Sequence, residues 1–112
     1  MVIRRITTRR RKRKGEHMKV YIAGKITGYP NYKEHFKRAE EHLKALGHTV
    51  MNPAILPEGF HWRDYMHICI PMLDVCEAIY LLNNWRDSDG AKIEYHTANM
   101  SNKIIMYEEE KQ

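Results

Sequence analysis

One carboxylate and the loop before it are the residues of this sequence best suited to chemistry. Glu94 follows a polar loop, residues 83–89, and comes one turn into a predicted helix. At about 100° per residue, Glu94 shares a helix face with Ala91 and Ala98, two small side chains that we expect to face a sheet. The helix N-terminus favours anions, so we expect an ionised, half-enclosed carboxylate suited to nucleophilic attack at a sugar carbon.

The structural alternative for Glu94 is that it only stabilises its helix, as carboxylates near helix N-termini commonly do. A second loop, residues 24–30, follows the first predicted strand and contains several turn residues. Ligands of open α/β sheets bind outside the carboxyl ends of strands, and this rule selects the segments 24–28 and 83–90. Trp85, in the second segment, should place its ring against a nucleobase or a partner subunit.

These loops must be positioned by a run of alternating strands and helices. Strand patterns occupy residues 19–23, 48–51, 78–82 and 103–107, and helix patterns occupy residues 32–46, 62–73 and 90–101. Asn31 and Gly47 are the expected caps of the first helix, and Pro71 is expected to bend the second or end it early. Helices between strands imply an α/β fold with a four-stranded parallel sheet covered on both faces.

The positive charge of the chain is confined to its beginning. The sequence of 112 residues has a formal net charge of +5, but residues 1–17 hold eight basic side chains and one acidic, which leaves residues 18–112 at −2. We predict that residues 1–17 are a basic, disordered extension and that residues 18–112 form one domain. A nucleic-acid partner is therefore expected only through the extension.

Composition favours a cytoplasmic protein that does not contact a membrane. No apolar run approaches the roughly 18 residues of a membrane span, and no apolar signal segment follows the basic N-terminus. Cys69 and Cys76 lie in apolar segments, which favours free thiols in a reducing compartment. A four-stranded sheet is small for independent stability, so a homo-oligomer of two or more chains is expected.

The histidines do not form a recognised metal site. His61, His67 and Cys69 have spacings unlike those of zinc sites, so neither a metal nor a cofactor is expected. His35 and His42 are interpreted as solvated helix residues.

Three side chains at the start of the second helix pattern have two interpretations. Trp62, Tyr65 and Met66 recur at helical spacing, for which packing in the core is the favoured interpretation. The alternative is that they line a pocket for a base.

Several short motifs resemble those of the nucleoside 2-deoxyribosyltransferase-like superfamily. In chain order they are Tyr21-Ile-Ala-Gly24, Thr27-Gly28, Asn52-Pro53, Trp62 with Tyr65-Met66, and Asp87-Ser88-Asp-Gly90-Ala91-x-x-Glu94. The resemblance covers residues 18–107, and it is closer to small bacterial and phage members of that superfamily that lack assigned functions. The order and spacing of the motifs together are fairly specific.

The resemblance implies a flavodoxin-like or Rossmann-like three-layer sandwich and glycosidic chemistry on nucleosides or nucleotides. Glu94 matches the nucleophile that attacks C1′ and releases the base, and Tyr21 matches the tyrosine that orients this nucleophile. The implied activity is that of a nucleotide N-glycosidase or deoxyribosyltransferase acting on a nucleoside 5′-monophosphate.

The resemblance also implies a phosphate-binding role for two loops. Ser88 and Gly90 match the loop that holds the 5′-phosphate in the 2′-deoxynucleoside 5′-phosphate N-hydrolases. Residues 24–28 match the loop that lies along the sugar and phosphate. Those hydrolases carry an arginine where this sequence has Thr27, so Lys25 is the candidate for the positive charge.

One departure from the family pattern opens alternatives. Relatives carry an aspartate near the end of the second helix that contacts the sugar or helps protonate the base, and here the position is Cys69, with Asp64 and His67 nearby. A thiol, with a reference pKa of about 8.5, is a poor general acid at neutral pH. A non-catalytic module that senses or sequesters a nucleotide is therefore the alternative, and a nucleic-acid binder acting through residues 1–17 is the third.

Overall fold

The computed structural model describes residues 17–109, and their architecture is the predicted α/β sandwich. The elements in chain order are β1 (Lys19–Ala23), α1 (Tyr32–Ala45), β2 (Thr49–Met51), α2 (Trp62–Asp74), β3 (Ala78–Leu81), α3 (Asp89–Met100) and β4 (Ile104–Tyr107), with short 3-10 turns at Pro53–Ile55 and Trp85–Asp87. The extension predicted for residues 1–17 lies outside the described residues, except for His17. No helix of the described segment is long and apolar enough to cross a membrane.

The four strands form one parallel sheet in the order β2-β1-β3-β4. Val20 of β1 pairs with Val50 of β2 on one side and with Ala78 of β3 on the other. The chain leaves β1 towards one edge of the sheet and later returns to build the other edge. The switch point therefore lies between β1 and β3, where the following loops diverge and leave room for a ligand.

Side-chain alternation along β1 divides the core into two layers. Val20 and Ile22 pack with the apolar stripe of α1 on one face of the sheet. Tyr21 and Ala23 pack with residues of α2 and α3 on the other face. Successive strand residues point to opposite faces, so Tyr21 is directed towards α2 and α3 by its position in the strand.

Two details of α1 differ from the prediction. Asn31 is the N-cap residue, and its backbone carbonyl accepts the first hydrogen bond of the helix from the N–H of His35. Its side chain, however, makes no cap hydrogen bond. His35 is buried rather than solvated, and its imidazole lies within hydrogen-bonding distance of Tyr29 and Glu108. Gly47 has a φ of 96°, as expected for a glycine that ends a helix.

The predicted early end at Pro71 is wrong, because α2 continues through it to Asp74. Proline has no N–H, which leaves the carbonyl of His67 without its helical partner. Both residues are exposed, so water can satisfy that carbonyl at little cost.

Candidate active site

A cavity of about 540 Å³ opens beside the carboxyl end of β1, a size typical of small-molecule sites. Its wall is built by β1, the two loops at the switch point, the segment before α2, and the first turns of α2 and α3. The lining residues considered below are Tyr21, Gly24, Thr27, Glu58, Phe60, His61, Trp62, Tyr65, Met66, Cys69, Ser88, Gly90 and Glu94.

Tyr21 and Glu94 form a buried polar pair in this wall. The Tyr21 hydroxyl donates a hydrogen bond to Oε2 of Glu94 at 2.7 Å. Glu94 is only 6% exposed, and Ala91 and Ala98 on the same helix face are buried as well. The inward direction predicted for Glu94 is therefore confirmed.

The ionised state expected for Glu94 requires correction. Burial raises the pKa of this carboxyl to about 7, and the hydrogen bond from Tyr21 opposes only part of the rise. The helix N-terminus gives little help, because Glu94 is the sixth residue of α3 and the helix field falls off within the first turn. Burial, followed by the nearby carboxylate, also raises the pKa of Tyr21 well above its usual value, so the tyrosine remains a donor.

Cys69 completes the polar part of the wall. Its thiol is buried beside the Tyr21 hydroxyl, and burial raises the thiol pKa, so the sulfur keeps its proton at neutral pH. The two possible substitutes on α2 do not line the cavity. The Asp64 carboxylate accepts from the backbone N–H of His61 at 3.1 Å and caps the helix, and His67 is exposed.

The first loop contributes less to the cavity than predicted. Gly24 and Thr27 line the wall, whereas Gly28 forms a turn with a φ of 75° and does not. The Lys25 ammonium donates to the backbone carbonyl of Asp87 at 3.1 Å. Lys25 thus ties the two switch-point loops together, and it does not line the cavity, where it was expected to supply positive charge.

Of the residues predicted to bind a ligand in the second loop, two line the cavity and one does not. Ser88 and Gly90 line the cavity, and the Ser88 hydroxyl oxygen accepts from the N–H of Ala91 at 3.1 Å as the cap of α3. Trp85 does not line the cavity. Its ring is buried and packs on Tyr95, with the ring centroids 4.8 Å apart, so the predicted contact with a base or partner subunit is wrong.

Comparison with protein-family sequence models gives a match over residues 18–107, which is most of the chain. The chain belongs to the family described as a domain of unknown function, DUF4406. A comparison with curated proteins finds no match. The DUF4406 region begins at Met18, so it includes every strand, helix and cavity residue described above and leaves out the basic segment 1–17.

The cavity of the DUF4406 domain is acidic rather than basic. No lysine or arginine among residues 17–109 lines it, whereas Glu58 and Glu94 do. The nearby Lys33 ammonium is paired with Glu58 at 3.1 Å. No group of three or more metal-ligating side chains is found within the described part of the chain. An anion in this wall would therefore meet no lysine or arginine of the described segment, and the nearest favourable field is that of the α3 N-terminus, near Gly90.

The favoured interpretation of Trp62 as a core residue is wrong, and Phe60 was missed altogether. Trp62 is 51% exposed, Phe60 is 55% exposed, and both line the cavity. One sequence signal does point to them. In a parallel α/β sheet each crossover helix starts at the carboxyl edge of the strands, so the residues around the start of α2 lie next to the ligand crevice of the DUF4406 fold.

Proposed function

We propose that this DUF4406 domain cleaves the N-glycosidic bond of a nucleoside or a nucleoside 5′-monophosphate, with Glu94 as the nucleophile. The Tyr21–Glu94 pair carries the proposal, since it places a buried carboxyl at the wall of a cavity of suitable size. The motifs that resemble the nucleoside 2-deoxyribosyltransferase-like superfamily support it, because the same two residues occupy the positions of that superfamily's nucleophile and orienting tyrosine.

In the proposed reaction the ionised Glu94 attacks the anomeric carbon C1′ of the sugar. The C1′–N bond breaks, its electron pair leaves with the base, and the base takes up a proton from solvent, which regains one when the second nucleophile loses its own. Water, or the nitrogen of a second base, then attacks C1′ and releases the Glu94 carboxylate. Tyr21 holds Oε2 throughout and leaves Oε1 to approach the sugar.

The raised pKa of Glu94 suits a nucleophile that works at neutral pH. At pH 7 about half of the carboxyl groups are ionised. The ionised fraction has little hydration to lose, because the side chain is buried in a mostly apolar wall. Its affinity for a proton is also higher than that of an ordinary carboxylate, and nucleophilicity generally increases with basicity.

The charge of the cavity favours the uncharged nucleoside over its 5′-monophosphate. A phosphate would meet the N–H groups at the start of α3, but no lysine or arginine in the wall formed by the described residues. The ionised form of Glu94 shares the same cavity and would repel it, whereas Lys33 balances the charge of Glu58.

Binding of a nucleoside or nucleotide without turnover is the second candidate function. Cys69 stands where superfamily relatives carry the aspartate that helps to protonate the base. The raised pKa of the buried thiol makes it a poor proton donor, which favours a module that holds its ligand intact.

The test is to incubate the protein with a panel of nucleosides and nucleoside 5′-monophosphates and to follow release of the free base. Glu94→Gln keeps the size of the side chain and an oxygen for Tyr21, and it should reduce base release on the order of 10³-fold or more. Glu58→Gln is the matched control, because it removes the other carboxylate of the wall. Unchanged activity in Glu94→Gln would reject the mechanism, and tight binding without base release would support the second candidate.

A further inference from the structure

Trp62 is a large cavity residue that the proposed reaction does not use. Its side chain is half exposed at the first position of α2, although burial would stabilise an indole ring. No acceptor among residues 17–109 pairs with its indole N–H. A rigid aromatic ring with an unused donor, placed in a cavity wall, has the features of a ligand-binding side chain.

The indole nitrogen lies against the start of α3. A Cβ atom built on Gly90 would be 3.4 Å from Nε1 of Trp62 and 3.9 Å from the hydroxyl oxygen of Ser88. The same atom would be 3.3 Å from the sulfur of Met66, which lies one turn after Trp62 in α2. Glycine at position 90 therefore lets the indole nitrogen of Trp62 and the hydroxyl of Ser88 approach the start of α3 at one corner of the cavity.

A second aromatic ring is held in the same wall. Phe60 is more than half exposed, yet its ring packs edge-to-face on Tyr65 with the centroids 6.0 Å apart. The Tyr65 hydroxyl donates to the carbonyl of Pro57 at 2.6 Å and accepts from the N–H of Phe60 at 3.1 Å. These contacts thus hold Phe60, and Phe60 and Trp62 both line the cavity while each remains about half exposed.

We propose that Trp62 recognises the base of the substrate, by stacking on its planar heteroaromatic ring and donating the indole N–H to a ligand oxygen near Gly90. Every nucleobase has a π face, so stacking of this kind selects a planar ring without requiring one particular base. That the base then leaves the sugar rests on the proposed function. Binding of the base by Trp62 does not require turnover.

The experiment measures equilibrium binding of the four common 2′-deoxynucleosides, with 2-deoxyribose as the ligand that has no ring. Trp62→Leu removes the aromatic face and should weaken nucleoside binding about tenfold, with a clearly smaller effect on 2-deoxyribose. Trp62→Phe keeps a face but lacks the N–H, and a loss of about threefold is expected. Trp85→Phe, which changes the only other tryptophan of the chain, is the control and should bind as the wild type does.

The two tryptophans also provide a direct optical readout. In Trp85→Phe the remaining Trp62 fluorescence should be quenched by bound nucleoside, and in Trp62→Phe the buried Trp85 should not respond. Equal affinity of the wild type and Trp62→Leu, an equal loss for 2-deoxyribose, or no nucleoside binding to the wild type would each overturn the inference. If Trp62→Leu fails to fold, the fluorescence of the two phenylalanine variants decides. Trp62-dependent binding without base release would reject the cleavage reaction alone.

Discussion

The Tyr21 hydroxyl oxygen lies 2.7 Å from Oε2 of Glu94, although 73 residues separate the two in sequence. Strand alternation turns Tyr21 towards the face covered by α2 and α3, and the inward stripe of α3 turns Glu94 towards the same place. Burial raises the pKa of both groups. A neutral tyrosine therefore holds a carboxyl that changes charge near neutral pH.

Base release should increase with pH through about 7, because the reactive form of Glu94 is the ionised one. The hydrogen bond from Tyr21 lowers the Glu94 pKa, so Tyr21→Phe should move the midpoint of this rise to higher pH. The variant should also be about tenfold slower at pH 7. The measurement is kcat/KM between about pH 5 and 9, and a midpoint that stays in place in Tyr21→Phe would contradict the assigned contact.

Glu94→Gln should stabilise the protein at high pH more than at low pH. The carboxyl pKa is raised from 4.5 to about 7 on folding, so the folded state binds the proton more tightly and stability falls as pH rises through this interval. Above pH 7 the buried charge costs on the order of 3 kcal/mol, which glutamine avoids. Urea unfolding at about pH 5 and pH 8 measures the difference, with Glu58→Gln as a control for the loss of a charge. A difference that does not depend on pH would argue against the raised pKa.

Gly24→Ala should destabilise the fold. A Cβ atom there would lie 2.6 Å from Cδ1 of Leu82, whose side chain is fully buried, and the expected loss is about 1–3 kcal/mol. Gly90→Ala is the matched control in the same cavity, because its nearest neighbour at 3.3 Å is the flexible end of Met66. Chemical denaturation should show a smaller loss for Gly90→Ala, and equal losses would refute the steric account.

His35→Ala should destabilise the fold by about 1–3 kcal/mol, because it leaves buried polar groups without their partner. The imidazole Nε2 lies 2.9 Å from a Glu108 carboxylate oxygen that also accepts from the N–H of Asn83, and Nδ1 lies 3.1 Å from the Tyr29 hydroxyl. His42→Ala, on the exposed surface of the same helix, should change stability by no more than about 0.5 kcal/mol. Similar denaturation midpoints for the two variants would show that the His35 contacts contribute little.

The order of elements and the inward direction of Glu94 could be predicted because both follow from local periodicity. Strands and helices reveal themselves by apolar spacing over a few residues. When strands and helices alternate along a chain, they almost always form a parallel sheet with helices on both faces. The faces of Tyr21 and Glu94 follow from the same periodicity, since each is counted within its own element.

The ionisation of Glu94 and the roles of the two tryptophans depended on contacts between distant segments. The pKa of Glu94 reflects burial by β1, α2 and α3 together, and a helix considered alone predicts the opposite direction. Trp62 and Trp85 have the same side chain, and only the folded chain buries Trp85 against Tyr95 and places Trp62 in the cavity wall. Lys25 likewise reaches a carbonyl of the neighbouring loop instead of the cavity. The desolvation of a group and the position of its side chain depend on residues from distant parts of the sequence, which come together only when the chain folds.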